Sequence, residues 1–341
     1  MTLHSVKDLI AANLVPPERA AALETVAARY AVSISGDIAK LIASPDDPVA
    51  RQFIPSEAEL VTTKEELADP IGDRAHEPVP GIVHRYRDRV LFKPVHVCPV
   101  YCRFCFRREM VGPGKEPALS PAQIDAAFAY VAAHPEISEI IVTGGDPFIL
   151  SPRRAAEISA RAAAIPHISK LRWHSRVPVV EPSRITGEFV AAIKLETGET
   201  RVAIHVNHPR ELMAAARTAC KKMLNAGIEL LSQSVLLKGV NDNIETLEEL
   251  IHAFLETGIR PYYLHHPDLA PGTSHFRVSI EEGRALMREL HARIHPAPDY
   301  MLDIPGGYGK ISLLSDAIVR DGDRWRVQDV GGDWHSYPPS P

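Results

Sequence analysis

The chain has 341 residues, 45% hydrophobic and 24% charged, with a net charge of −5. This balance is that of a soluble globular protein of one large or two ordinary domains; it carries no basic footprint for nucleic acid. No stretch approaches the roughly 18–20 apolar residues of a membrane span, so membrane and nucleic-acid partners are not expected.

The start, Met1-Thr2-Leu3-His4-Ser5-Val6-Lys7-Asp8, lacks the basic lead and apolar core of a signal peptide, and clustered free thiols fit a reducing compartment; a cytoplasmic location is expected. Residues 1 to about 75 read as helices broken by Pro16-Pro17 and Pro48, with alanine-rich amphipathic stretches such as Glu18 to Tyr30. Nothing in them points to chemistry.

From about residue 85, short β-rich runs alternate with helical ones. Candidate strands are Val90–Val95, Glu139–Thr143, Lys170–His174, Arg201–Val206, Leu230–Leu236 and Pro261–His265. Helical patterns fall near 121–133, 153–164, 183–195, 210–226, 245–257 and 279–295. Alternation of this kind predicts parallel β/α units, which can close or partly close into a barrel with its chemistry in the loops after the strands. The tail beyond about residue 316 reads as turns around short strands, with a frayed Tyr337-Pro338-Pro339-Ser340-Pro341 end.

Three of the four cysteines lie in Cys98-Pro99-Val100-Tyr101-Cys102-Arg103-Phe104-Cys105, directly after the first candidate strand. A C-x3-C-x2-C run offers three thiolates to one centre and leaves a position open. Structural zinc closes with four ligands, and neither a second short-spaced cysteine pair nor a paired histidine motif follows. Ferredoxins use four cysteines per cluster at other spacings. A three-cysteine iron–sulfur cluster with one open iron is the best account. Cys220, on a helical pattern, reads as a buried, inert thiol.

A second motif, Thr143-Gly144-Gly145-Asp146-Pro147, follows the apolar strand Ile140-Ile141-Val142. Alone it is an ordinary strand-to-loop turn, although paired glycines let backbone approach a ligand closely. Together the two motifs resemble the radical S-adenosylmethionine (SAM) superfamily. The stretches Cys102 to Arg108, His174 to Thr186, His205 to Pro209, Gln233 to Asp242, Asp268-Leu269, His275-Phe276-Arg277 and Asp303 to Lys310 narrow it: in order across residues 85–315, they resemble the lysine 2,3-aminomutase family.

That resemblance implies an α/β fold, a partial (βα)6 radical SAM barrel over 81–300, with a helical extension over 1–80 and a C-terminal segment over 301–341. It implies Cys98, Cys102 and Cys105 as ligands of a [4Fe–4S] cluster and Gly144, Gly145 and Asp146 at the SAM site. It implies Lys310 as the catalytic lysine bonded to pyridoxal 5′-phosphate (PLP), with Arg85 and Arg89 at the phosphate. Arg107 would pair with the carboxylate of a lysine substrate, and Asp268 and Asp303 would hold its ε-ammonium. Read by themselves, Lys310 fits a surface lysine in a flexible glycine loop, the arginines solvated or cluster-facing cations, and each aspartate a cap or turn residue.

The implied reaction is the isomerisation of L-lysine to β-lysine by 1,2-amino migration, driven by a cellular one-electron reductant. The free-lysine enzymes carry a structural zinc bound by cysteines; Asn243 stands at the first of those places and the tail has no cysteine, so that site is not expected. The short length is similar to aminomutase-like proteins that act in modification of elongation factor P, which makes a protein-linked lysyl group the alternative substrate. Those short proteins lack the second acidic residue, whereas this chain keeps Asp303. A non-catalytic iron–sulfur protein is the alternative of another class. Oligomeric state is not legible.

Overall fold

The protein is described from a computed structural model covering residues 2–112, 114 and 116–339. Nine strands form one sheet in sequential order: β1 Ile82–Tyr86, β2 Arg89–Val95, β3 Glu139–Gly144, β4 Lys170–Ser175, β5 Glu199–His205, β6 Glu229–Val235, β7 Arg260–His265, β8 Asp299–Asp303 and β9 Lys310–Ser312. Strands β2 to β8 run parallel, and an antiparallel hairpin strand flanks each end. The six strands expected from sequence are β2 to β7. Strands β1, β8 and β9 were not expected: β8 is five residues beside Pro296 and Pro298, and of its hydrophobic side chains only Tyr300 and Leu302 are buried.

Before the sheet lie four short helices, α1 Val6–Ala11, α2 Ala20–Arg29, α3 Gly36–Ala39 and α4 Pro48–Arg51. Pro48 starts α4, where a missing N–H costs nothing, and Asp47 caps it through the Val49 and Ala50 N–H groups. Between the strands run α5 Pro121–Ala132, α6 Pro152–Ala163, α7 Val177–Val180, α8 Gly187–Ala192, α9 Ala214–Asn225, α10 Ile244–Thr257 and α11 Ile280–Arg293. Ser-Pro pairs start α5 and α6, the serine accepting from the third helical N–H and the proline taking the first position. The helix expected at 183–195 shrinks to α8: Pro178 and Pro182 break the preceding chain into short turns, and Thr186 caps only the stretch Gly187–Ala192. Among the described residues no helix is long and apolar enough to cross a membrane.

The sheet curls until its ends meet through side chains. Tyr86 of β1 accepts from the Lys310 backbone N–H of β9 at 2.9 Å, and Arg85 reaches within 4.0 Å of Asp303 on β8. The result is a half-barrel of parallel strands whose open seam is bridged by side chains. A small antiparallel sheet, β10 Ile318–Asp321, β11 Arg324–Gln328 and β12 Trp334–Tyr337, comes after it in the chain. Tyr337, expected in a frayed end, is buried with its ring 5.9 Å from that of His266, so the tail is anchored there; Ser340 and Pro341 lie outside the described residues.

Candidate active site

The cysteine loop leaves the carboxyl end of β2 and is held by the N-terminal extension. Tyr101 N–H donates to Ser33 O, the Ser33 hydroxyl to Pro99 O, and Arg103 N–H to Gln52 O, each at 2.8–3.0 Å. Arg103 is 1% exposed and grips the fully buried Glu59 through Nε (2.9 and 3.0 Å) and Nη2 (2.6 Å), while Arg108 donates to the same carboxylate. Burial opposes the charge of Glu59, but Arg103 and Arg108 outweigh it and hold the carboxyl below its ordinary range. Two arginines of the cysteine loop thus close on one glutamate of the extension.

Arg176, after β4, donates to Cys102 Sγ at 2.8 Å and to Gln52 Oε1 and Glu211 Oε2 at 2.6 and 2.7 Å. Burial pushes the Cys98 thiol well up, raises that of Cys102 and lifts that of Cys105 to about 11. Buried thiols of this kind become thiolates when a cationic metal centre supplies the compensating charge. Among the described residues no three His, Cys, Asp or Glu side chains converge as a single-ion site would require. A cubane imposes no such convergence, because each thiolate takes a separate iron. The donor set therefore fits a cluster.

The glycine motif sits beside that loop. Gly144 has φ +110°, and a Cβ on Gly145 would lie 2.3 Å from Val97 O, so backbone approach here excludes side chains. Gly145 and Asp146 N–H donate to Val95 and Val97 carbonyls, which fastens the motif to the start of the cysteine loop. The Asp146 carboxylate accepts from the Ser175 hydroxyl and from the Phe148, Arg176 and Val177 N–H groups. Its carboxylate orients the turn after β4.

A relay of alternating charges runs from the cysteine loop to Lys310. Arg107, two residues past Cys105, donates to Asp73 Oδ2 at 3.2 Å; Arg85 donates to Asp73 Oδ1 at 3.2 Å and lies 4.0 Å from Asp303. Asp303 receives Lys310 Nζ at 2.5 Å on both oxygens and lies 3.3 Å from His265 Nδ1. Burial would raise Asp303, but Lys310 and His265 prevail and hold it below the carboxylate range. Asp268 shows the opposite balance: burial and then the neighbouring Asp303 push it up to about 8.

The candidates divide accordingly. Cys98, Cys102, Cys105, Gly144, Gly145 and Asp146 gather after β2 and β3, while Arg107, Arg85, Asp303 and Lys310 form the relay and Asp268 lies in its field. Arg89 stands apart: it pairs with its exposed neighbour Asp88 and reaches the site only over the ring of Tyr86 (5.1 Å). The residues missed are Asp73, Tyr86, Lys93, Arg176 and His265. Only Arg176, inside a recognised segment, and Tyr86, between the candidates Arg85 and Arg89, carried a signal. Nothing in the polar turn Gly72-Asp73-Arg74 announced Asp73.

The interior is also lined by buried polar atoms that have no hydrogen-bond partner within the chain: Lys93 Nζ, Arg107 Nε, His174 Nε2, His205 Nε2 and His265 Nε2. Burial drives all three imidazoles down, so they are neutral at pH 7. Buried polar groups are normally satisfied, so such a concentration marks a surface that accepts polar guests. A cavity of about 750 Å³ lies between the extension and the cysteine loop, bordered by Glu24, Ser33, Cys98, Tyr101 and Arg184. Lys310, Asp303 and Asp268 do not line it.

The radical SAM superfamily model matches residues 92–253. L-lysine 2,3-aminomutase of Acetoanaerobium sticklandii is 36% identical over 280 residues, covering 82% of this chain and 67% of that one. L-lysine 2,3-aminomutase of Escherichia coli (strain K12) is 41% identical over 247 residues, with 72% and 71% covered. L-lysine 2,3-aminomutase of Bacillus subtilis (strain 168) is 34% identical over 301 residues, with 86% and 63% covered. The chain thus spans about two thirds of the length of these relatives.

Proposed function

Because the chain belongs to the lysine 2,3-aminomutase family of the radical SAM superfamily, we propose that it is a PLP-dependent isomerase that moves the α-amino group of L-lysine to the β-carbon. The observation that carries this reading is the Arg107–Asp73–Arg85–Asp303–Lys310 relay, which links the cysteine loop to a single amine. When bound, the cluster and SAM supply a carbon radical that abstracts and returns hydrogen, and PLP supplies a π-system that carries the migrating nitrogen.

The residues present fit these groups. Cys98, Cys102 and Cys105 would hold the cluster, and Gly144, Gly145 and the Asp146 backbone would admit the SAM methionyl group. Lys310 would bond to PLP, with Arg85 near the phosphate and Arg89 contributing through Tyr86. Arg107 offers a planar fork for the substrate carboxylate. Asp268 and Asp303 would take the distal ammonium of lysine, a cation that needs a buried counter-charge. Neutral His174 and His205 can satisfy polar guests without adding charge to the interior.

Anaerobic turnover of reconstituted protein tests the proposal. Conversion of free L-lysine to β-lysine supports it. A negligible rate with free lysine beside fast conversion of a lysyl group on elongation factor P would move the substrate to a protein. SAM cleavage and PLP attachment both absent would defeat the enzymatic reading.

A further inference from the structure

Lys93 of β2 is 1% exposed, and its ammonium has no hydrogen-bond partner. Phe92 packs outward against Phe128 of α5, with ring centroids 5.3 Å apart. Strand alternation therefore turns Lys93 toward the barrel interior. Its Cβ would lie 3.1 Å from a Cβ on Gly144, so its stem runs beside the glycine motif.

The carboxylates nearest Lys93 each serve other donors, and its ion pair with Glu77 is long. Asp73 holds Arg85 and Arg107, one on each oxygen. Asp69 holds the Asp73 and Arg74 N–H groups. Glu77 accepts from Gly81 N–H through Oε1, and that oxygen stays 3.7 Å from Lys93 Nζ. A buried ammonium with unused donors is costly unless an anion completes it. Burial and Arg107 push Lys93 down, and Asp73 and Glu77 only partly offset them. A methionine or leucine would fill this place without that cost, so the charge serves something other than the fold.

We propose that Lys93 is an anion-binding residue of the interior that pairs with the carboxylate of a bound α-amino acid, beside Arg107. The carboxylate has two sources, the lysine substrate and the methionyl end of SAM. The inference rests on the proposed function for the identity of these guests, while the residue's need for an anion does not.

Lys93→Met deletes the charge at constant length, and Lys93→Arg keeps it. In anaerobically reconstituted protein, the KM for L-lysine and the SAM dissociation constant, read from the perturbed EPR spectrum of the reduced cluster, separate the sources. If the substrate carboxylate is the partner, K93M raises the lysine KM about 10- to 100-fold, the loss expected for one charge-assisted hydrogen bond. It then also narrows the preference for lysine over lysinamide, Arg107 keeping the remainder, and leaves SAM binding intact. If the methionyl carboxylate is the partner, the SAM constant rises by that factor and the lysine KM holds. K93R restores the affected constant in either case. K93M should unfold at a temperature no lower than wild type. Both constants within about twofold of wild type would overturn the assignment, as would a lowered unfolding temperature with both affinities lost together. Wild-type protein that binds SAM and lysine without turnover would defeat the proposed function, and the dissociation constants of lysine and SAM, compared between wild type and K93M, would still decide Lys93.

Discussion

Asp303 and Lys310 face each other as cross-strand partners on β8 and β9, and the lysine ammonium lies 2.5 Å from both oxygens of the carboxylate. The register places both side chains on one face, and the Ile304 N–H donating to Gly309 O closes the turn. Under the proposed function, Asp303 would hold the Lys310 ammonium in the cofactor-free chain and would be free to take a substrate ammonium once Lys310 bonds to PLP. Lys310→Ala should abolish the absorbance of lysine-bound PLP and lower turnover more than about 1,000-fold. Asp303→Asn should retain PLP attachment and raise the lysine KM about 100-fold. Retention of a lysine-bound PLP spectrum in K310A would reassign the cofactor lysine.

Asp268 gives the site a pH signature. Its carboxyl is raised from 3.8 to about 8 by burial and by Asp303. Between those values the folded state keeps a proton that the unfolded state has lost, so this group lowers stability progressively as pH rises through the window. Asp268→Asn should flatten that decline in unfolding temperature and, at pH 8, exceed wild type. A substrate ammonium favours the charged carboxylate, so lysine binding near pH 7 should expel a proton from Asp268. Calorimetric titration in buffers of differing ionisation enthalpy reads that release, and D268N should lack it.

Much of this site was legible because its residues sit in local motifs. The three cysteines, the glycine pair and the Asp303-to-Lys310 hairpin each occupy a contiguous run. Strands β2 to β7 were legible because buried parallel strands are continuous apolar runs, as Ile140-Ile141-Val142 shows. The relay was not legible as a unit. Asp73 joins Arg107 and Arg85 across 34 and 12 positions, and only the curled sheet sets that register. The extension was silent for a similar reason: Glu59 resembles a capping residue of its own turn, and its Oε1 does accept from Ser56 N–H, yet it also answers Arg103 of the cysteine loop. Lys93 was hidden inside an apolar run, where a lone lysine in a strand reads as an edge.

The cysteines divide sharply. Replacing Cys98, Cys102 or Cys105 by alanine should cut iron content from about four per chain and end SAM cleavage. Cys220 is fully buried, with its thiol pushed up to about 12 by burial, so it stays protonated and inert. Cys220→Ser should leave iron and turnover unchanged. Iron loss in C220S equal to that in C98A would mean that the cluster draws on a different ligand set.

The extension should matter to the cluster as much as the loop itself. Glu59 is fully buried and binds Arg103 and Arg108, which lie 44 and 49 positions further along the chain. Glu59→Gln leaves two guanidinium groups facing a neutral amide in a dry interior. Breaking one partner of such a network costs about 3–5 kcal/mol. The variant should unfold at a lower temperature and hold iron poorly after anaerobic reconstitution, because Arg103 lies between Cys102 and Cys105. Glu59 is held below its ordinary value of 4.5, so its stabilising contribution is present above that pH and fades as pH falls below it. E59Q should therefore lack the acid-side decline in stability expected of wild type there. Full iron loading in E59Q despite a lowered unfolding temperature would separate the stability of the extension from the geometry of the cluster loop.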